Sequence, residues 1–97
     1  MNNHVLKIYP CFFIAKINKE KRFEIRWNVE SGFQKGDTVD YWEWNPYTTT
    51  GGIIKGYTGR MVNAVITFVT SFEQKNGFVV FGDHITSKVF EGQEPPK

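Results

Sequence analysis

The chain reads as an α+β protein, mainly β, built as a small curled barrel-like sheet with one early helix. Three observations carry that expectation. Lys21-Arg22-Phe23-Glu24-Ile25-Arg26-Trp27-Asn28 alternates apolar and polar residues, the period of a half-buried strand. Gly36-Asp37, Asn45-Pro46 and Asn76-Gly77 punctuate further apolar runs of strand length. Pro10 to Ile17 has helical spacing instead, with Phe13 and Ile17 four residues apart and Ile14 beside them.

Ninety-seven residues make one domain, 1–97, with 91–97 as a frayed tail holding two prolines. Aromatic residues are 16% of the chain, which suits a β-rich core. A net charge of +2 permits a phosphate-bearing partner without demanding one. The single cysteine, Cys11, excludes a disulfide framework within the chain. Set among Phe12, Phe13 and Ile14, it is expected as a small buried hydrophobe. No run approaches the roughly 20 apolar residues of a membrane span, and the first residues lack an apolar signal segment. No membrane partner and a cytoplasmic location are expected.

In order, His4 to Tyr9 is a short strand that Pro10 stops. Proline suits the first position of the helix Pro10–Ile17, and Asn18 is placed to close it in a left-handed conformation. The alternating strand follows and is expected at the centre of the sheet, with Phe23, Ile25 and Trp27 in the core and Arg22, Glu24 and Arg26 on the other face. Phe33 reads as a ring plugging the core from a loop. Thr38 to Trp44 is the next strand, with Val39, Tyr41 and Glu43 on one face and Asp40, Trp42 and Trp44 on the other, half exposed or covered by a loop. Tyr47 to Gly52 is a Thr/Gly-rich loop, after which Ile53 and Ile54 re-enter. Met61 to Thr70 is the longest strand, with Val62, Ala64, Ile66 and Phe68 on one face. Asn76-Gly77 turns the chain into Phe78–Phe81. Gly82-Asp83 then bends it toward a last strand over 84–90.

Several residues have chemistry to offer. Glu24 and Arg26 share a strand face and fit either an ion pair closing the barrel or a cleft in which Arg26 presents a planar fork to a phosphate or a base edge. Lys21 is a solvated strand-end lysine, a phosphate contact or, if buried or set beside a cation such as Arg22, a base of lowered pKa. Trp27, Trp42 and Trp44 suit packing, and Trp44 also suits stacking on an unpaired base. Tyr57-Thr58-Gly59-Arg60 is either a packed turn or an anion-holding segment, but lacks the spacing of a P-loop. His4 and His84 are isolated, so no metal site and no cofactor are expected. Lys16, Lys19, Lys21 and Arg22 form a basic edge at the helix exit.

Taken together, several of these segments resemble the small ASCH-like domains of the PUA-like superfamily found in phages and bacteria. They are His4-Val5-Leu6-Lys7-Ile8 before Pro10; Lys21, Glu24 and Arg26 in a Lys-x-x-Glu-x-Arg pattern; Gly36-Asp37; Glu43-Trp44; Tyr57-Thr58-Gly59-Arg60; and Gly77-Phe78-Val79-Val80. The resemblance covers roughly residues 4 to 85. It implies a PUA-like barrel with a helix across it and a cleft beside the helix, and several such domains bind RNA. One branch removes the acetyl group of N4-acetylcytidine with a lysine, a threonine three residues later and a distant glutamate. Lys21 matches that lysine, but Glu24 stands in the threonine's place, so the hydroxyl is missing.

The expected function is a small module binding single-stranded RNA or a nucleotide-sized ligand. Lys21, Arg26 and Arg60 would supply cations, Glu24 hydrogen bonding, Thr58 an anion contact, and Trp44 or Tyr57 stacking. The alternatives are an amidohydrolase or nuclease acting through Lys21 with Glu24 or Glu43, and a phage accessory protein that binds a host protein through Trp42, Trp44 and Tyr47.

Overall fold

A computed structural model describes residues 1–28, 32–47 and 56–94. Among these residues five strands and one helix follow in the order β1 (Asn3–Ile8), α1 (Pro10–Ile17), β2 (Phe23–Trp27), β3 (Thr38–Trp44), β4 (Tyr57–Thr70) and β5 (Phe78–Ile85). The strands form one mixed sheet in the order β1-β3-β4-β5-β2, curled into a half-barrel, so the α+β, mainly β expectation holds. β1 runs parallel to β3, and the remaining pairs are antiparallel. No helix among the described residues is long and apolar enough to cross a membrane. The re-entry expected at Ile53 and Ile54, most of the Thr/Gly-rich loop, and the end of the tail lie outside the described residues.

The concave side of the sheet and α1 enclose the core. Phe13, Val39, Tyr41, Val62, Ala64 and Phe81 are fully buried there. Phe33 does plug it from a loop, its ring 4.8 Å from that of Phe81. Each Val or Phe side chain among them contributes roughly 1.5–3 kcal/mol by leaving water. Proline opens α1 as expected. The left-handed residue after it is Lys19 (φ 63°), one later than expected, while Asn18 keeps φ −82°. Cys11 is exposed rather than buried, because Phe13, Lys16 and Ile17 are the residues that α1 turns inward.

The largest correction concerns β2. It is an edge strand, β4 holds the centre, and the facing of β2 is the reverse of that expected. Glu24 is 4% exposed, whereas Phe23, Ile25 and Trp27 are 46%, 54% and 48% exposed. The inward positions of a strand take whatever complements the interior, and the interior here carries a lysine. Bulges account for two further differences. The register shifts between Ile66 and Phe68, so Thr67 is an extra residue that turns Phe68 outward and Val69 toward the core. The Tyr57–Arg60 segment is not a separate turn but the start of β4, with a register shift between Trp42 and Trp44 on its partner. Gly82 and Asp83 lie within β5, and beyond it, among the described residues, Phe90 alone bridges, to Met61. Asn76-Gly77 makes the expected turn into β5, closed by the Phe78 amide on the Lys75 carbonyl at 2.9 Å at the end of the 71–77 connection; Gly77 has φ 89°, and a Cβ there would fall 2.3 Å from the Trp27 ring.

Candidate functional site: a cleft between the two sheet edges

Residues of an antiparallel pair that exchange backbone hydrogen bonds alternate along the strand. The Arg22 carbonyl accepts from the Asp83 amide at 3.0 Å, and the Asn28 amide donates to the Gly77 carbonyl at 2.7 Å. The even-numbered residues of β2 therefore bond to β5, and Phe23, Ile25 and Trp27 aim their backbone groups at the open edge. Across from that edge stands β1, whose Lys7 carbonyl accepts from Arg26 Nη2 at 3.4 Å. Between the two edges lies a cleft of about 450 Å³, inside the roughly 300–1,000 Å³ range of small-molecule sites. Lys7 and Tyr9 line it on the β1 side, Lys21, Glu24 and Arg26 on the β2 side, and Trp44 at the end of β3.

Glu24 is the centre of its polar floor. Its Oε1 accepts from Arg26 Nη2 at 3.1 Å and from Nε at 3.3 Å. Its Oε2 lies 2.5 Å from Lys21 Nζ and 3.0 Å from Lys16 Nζ. Burial pushes the Glu24 carboxyl up, but the Lys16 charge and the hydrogen bonds from Lys21 and Lys16 outweigh it, and the group is held below its ordinary value. Lys16 is fully buried in α1, 2.7 Å from Asp83 Oδ2 and 4.5 Å from the centre of the Tyr41 ring. Tyr41 Oη donates to the same Asp83 oxygen. Burial, then the Asp83 charge beside it, push the Tyr41 phenol far above its ordinary range. A chain of polar contacts thus runs from the deep core, Tyr41–Asp83–Lys16, to the cleft surface at Glu24, Lys21 and Arg26.

The rim is aromatic and cationic. Lys7 Nζ sits 4.3 Å from the centre of the Trp44 ring, and Tyr9 stacks obliquely on the same ring at 6.1 Å. Lys21 Nζ donates to the Phe23 carbonyl at 2.8 Å and lies 4.9 Å from that residue's ring. Gly56 backs Trp44 at φ 99°. A Cβ there would meet the indole nitrogen at 2.1 Å, so only glycine lets the ring lie where it does.

Of the residues singled out from the sequence, Lys21, Glu24, Arg26 and Trp44 come together in this cleft. Tyr57, Thr58, Arg60 and Glu43 do not line it. Arg60 grips the Glu43 carboxylate with Nε at 2.8 Å and Nη2 at 2.7 Å, and Thr58 Oγ1 donates to Glu43 at 2.6 Å. Burial alone would raise the Glu43 carboxyl, but the Arg60 and Thr58 hydrogen bonds hold it below its ordinary value. The Arg60 guanidinium lies over the Phe13 ring at 5.2 Å. This cluster ties the start of β4 to β3 and α1. Tyr57 packs edge-on against Trp42, which is buried, while Tyr47 is 90% exposed.

Lys7, Tyr9, Lys16, Tyr41 and Asp83 join the site without having been assigned to it. Only Lys16 carried a signal: it shares a helix face with Phe13, three residues before it, and so stands at a core position. Residues 3–82 match the family model described as a domain of unknown function, DUF3850, and the chain belongs to that family. No curated protein matches it.

Proposed function

We propose that this member of the DUF3850 family is a PUA-like, ASCH-type module of phage or bacterial origin that binds single-stranded RNA, or a nucleotide-sized ligand, in the cleft between β1 and β2. The single observation that carries this reading is the cleft's composition. Lys21 and Arg26 pair with one buried carboxylate, and Lys7, Tyr9 and Trp44 line the cleft beside them. A base stacked on Trp44 gains on the order of 1–3 kcal/mol, and the guanidinium of Arg26 suits a phosphate or base edge. A cytoplasmic location, in the host cytoplasm if the chain is phage-encoded, goes with such a ligand.

Binding is favoured over turnover by the electrostatics of the two candidate carboxylates. Glu24 and Glu43, the candidate acids, are both held below the ordinary carboxyl value by their neighbours, which keeps them ionised at neutral pH with no proton to donate. Glu43 is also occupied by Arg60 and stands apart from Lys21.

The test is fluorescence anisotropy of labelled single-stranded RNA at two salt concentrations, with wild-type protein and the Arg26→Ala and Arg60→Ala variants. Binding should weaken with salt. Arg26→Ala should weaken it about 10–100-fold, the loss of a charge-assisted hydrogen bond, and Arg60→Ala should leave it unchanged. No binding at low salt, or equal loss from both variants, would refute nucleic acid in this cleft.

A further inference from the structure

We infer that the exit of α1 carries a phosphate-binding subsite, in which Lys19 and Arg22 hold a phosphate group of the ligand whose base lies in the cleft. It rests on a nucleic acid or nucleotide occupying that cleft. A second, smaller cavity of about 110 Å³ opens at the helix exit. It holds the volume of roughly four waters at ~30 Å³ each, room for a phosphate group but not for a base with its sugar. Lys16, Lys19, Lys21 and Arg22 line it with His84, and Asp83 is the one carboxylate among the lining residues. The whole chain carries a net charge of only +2, so four cations around one small cavity are a local excess. Lys21 lines this cavity and the cleft alike, so the two are contiguous.

The cations divide into two sets. Lys16 pairs with Asp83 and Glu24, and Lys21 pairs with Glu24. Lys19 and Arg22 are exposed, and among the described residues neither has a carboxylate partner. Arg22 Nε donates to the Lys19 carbonyl at 2.9 Å, and the Arg22 carbonyl is fixed by the Asp83 amide at 3.0 Å. The guanidinium is thereby held beside Lys19. Among the described residues its Nη groups meet no acceptor, which leaves donors for a phosphate. Lys19 adds an independent observation. It is left-handed at φ 63°, in the position after a helix that favours glycine. A lysine there accepts backbone strain at the point where its cation has a use. The negative end of α1 does not oppose an anion here. The Glu20 amide bonds the Ala15 carbonyl at 2.8 Å and the Lys19 amide bonds the Lys16 carbonyl at 3.0 Å, so these carbonyls are already satisfied.

Two measurements test this, on wild type, Lys19→Gly, Arg22→Gln and a control, Lys75→Gln, at the opposite end of β5. All three positions are exposed, and glycine suits the left-handed backbone at 19, so the fold should survive. Inorganic phosphate is titrated at constant pH and ionic strength and followed by amide NMR. Wild type and Lys75→Gln should show saturable shifts at positions 19, 22 and 84, and Lys19→Gly and Arg22→Gln should lose them. In anisotropy with labelled single-stranded RNA, each of these two variants should weaken binding about 10-fold, the loss of a charge-assisted contact. Each should also flatten the slope of log affinity against log salt by about 0.7, one phosphate's share. Lys75→Gln should change neither. No saturable shift with phosphate, or an equal loss in Lys75→Gln, would overturn the subsite whatever the RNA does. Phosphate shifts with RNA binding indifferent to Lys19→Gly and Arg22→Gln would overturn its assignment to the cleft ligand. If wild type binds no RNA while phosphate still shifts these amides, nucleic acid in the cleft is refuted and the phosphate belongs to a small ligand.

Discussion

Replacing Lys16 by methionine removes the ammonium that joins the core to the cleft floor. Lys16 Nζ lies 2.7 Å from Asp83 and 3.0 Å from Glu24, and its side chain is wholly buried. Glu24 retains Lys21 and Arg26 as partners, so the loss falls mainly on Asp83, left with Tyr41 in the interior. Removing one partner of a buried ion pair costs roughly 3–5 kcal/mol. With a urea slope near ~1.3 kcal/mol/M for a domain of this size, the unfolding midpoint should fall by about 2–4 M. Lys16 is also the foremost of the groups that lower the Glu24 carboxyl. A lowered carboxyl stabilises the fold above its ordinary value of 4.5, and that contribution is lost as pH falls through the folded value. The gap between wild type and Lys16→Met should therefore be full at pH 7 and narrow below about pH 4.5. Adding Asp83→Asn to Lys16→Met should recover about 1–2 kcal/mol, because the uncompensated charge is gone. A loss under about 1 kcal/mol, or a double variant no more stable than the single one, would refute the account of Lys16 as the counter-ion of the core.

The reversed facing of β2 predicts that Ile25→Ser, measured by urea unfolding at low micromolar concentration, costs under about 1 kcal/mol. Phe81→Ala, at a fully buried position on the neighbouring strand, should cost about 3–5 kcal/mol. Arg60→Ala leaves the buried Glu43 with Thr58 and should cost about 1–3 kcal/mol, seen as a lowered midpoint with cleft affinity intact. Gly77→Ala should cost about 2 kcal/mol or more in the same assay, since the turn sits at φ 89° and the new Cβ meets Trp27. Glu24, Asp37 and Glu43 all hold carboxyls below their ordinary values. Asp37 is lowered chiefly by its hydrogen bond to His4, and the other two overcome burial through cationic partners. The stability they confer is present above the ordinary values of 3.8 and 4.5 and lost on acidification, so urea midpoints should hold near pH 5–7 and drop by pH 3.

The residues themselves determined the class and most of the element bounds. Pro10 starts the helix, Asn45-Pro46 ends β3 and Asn76-Gly77 makes the turn into β5, all through local backbone preference that needs no distant partner. The Lys21, Glu24, Arg26 cluster was legible as chemistry too, because its members lie within six residues of one another. Which face of β2 points inward was not legible. Alternation reports that two faces differ, and it favours the apolar one for the core only when the core is purely apolar. Here Lys16, placed inward by the helix beside Phe13, and Asp83, carried in on β5, make an interior that calls for Glu24. The Thr67 bulge likewise turned Phe68 outward through a one-residue slip that a periodic pattern does not register. Glu43 and Arg60 read as site residues because their types suit one, yet 17 positions apart in sequence they were free to find each other and so close an ion pair away from the cleft. The cleft exists because β1 and β2, the two strands left without a second neighbour, end the sheet face to face, and only the strand order decides that.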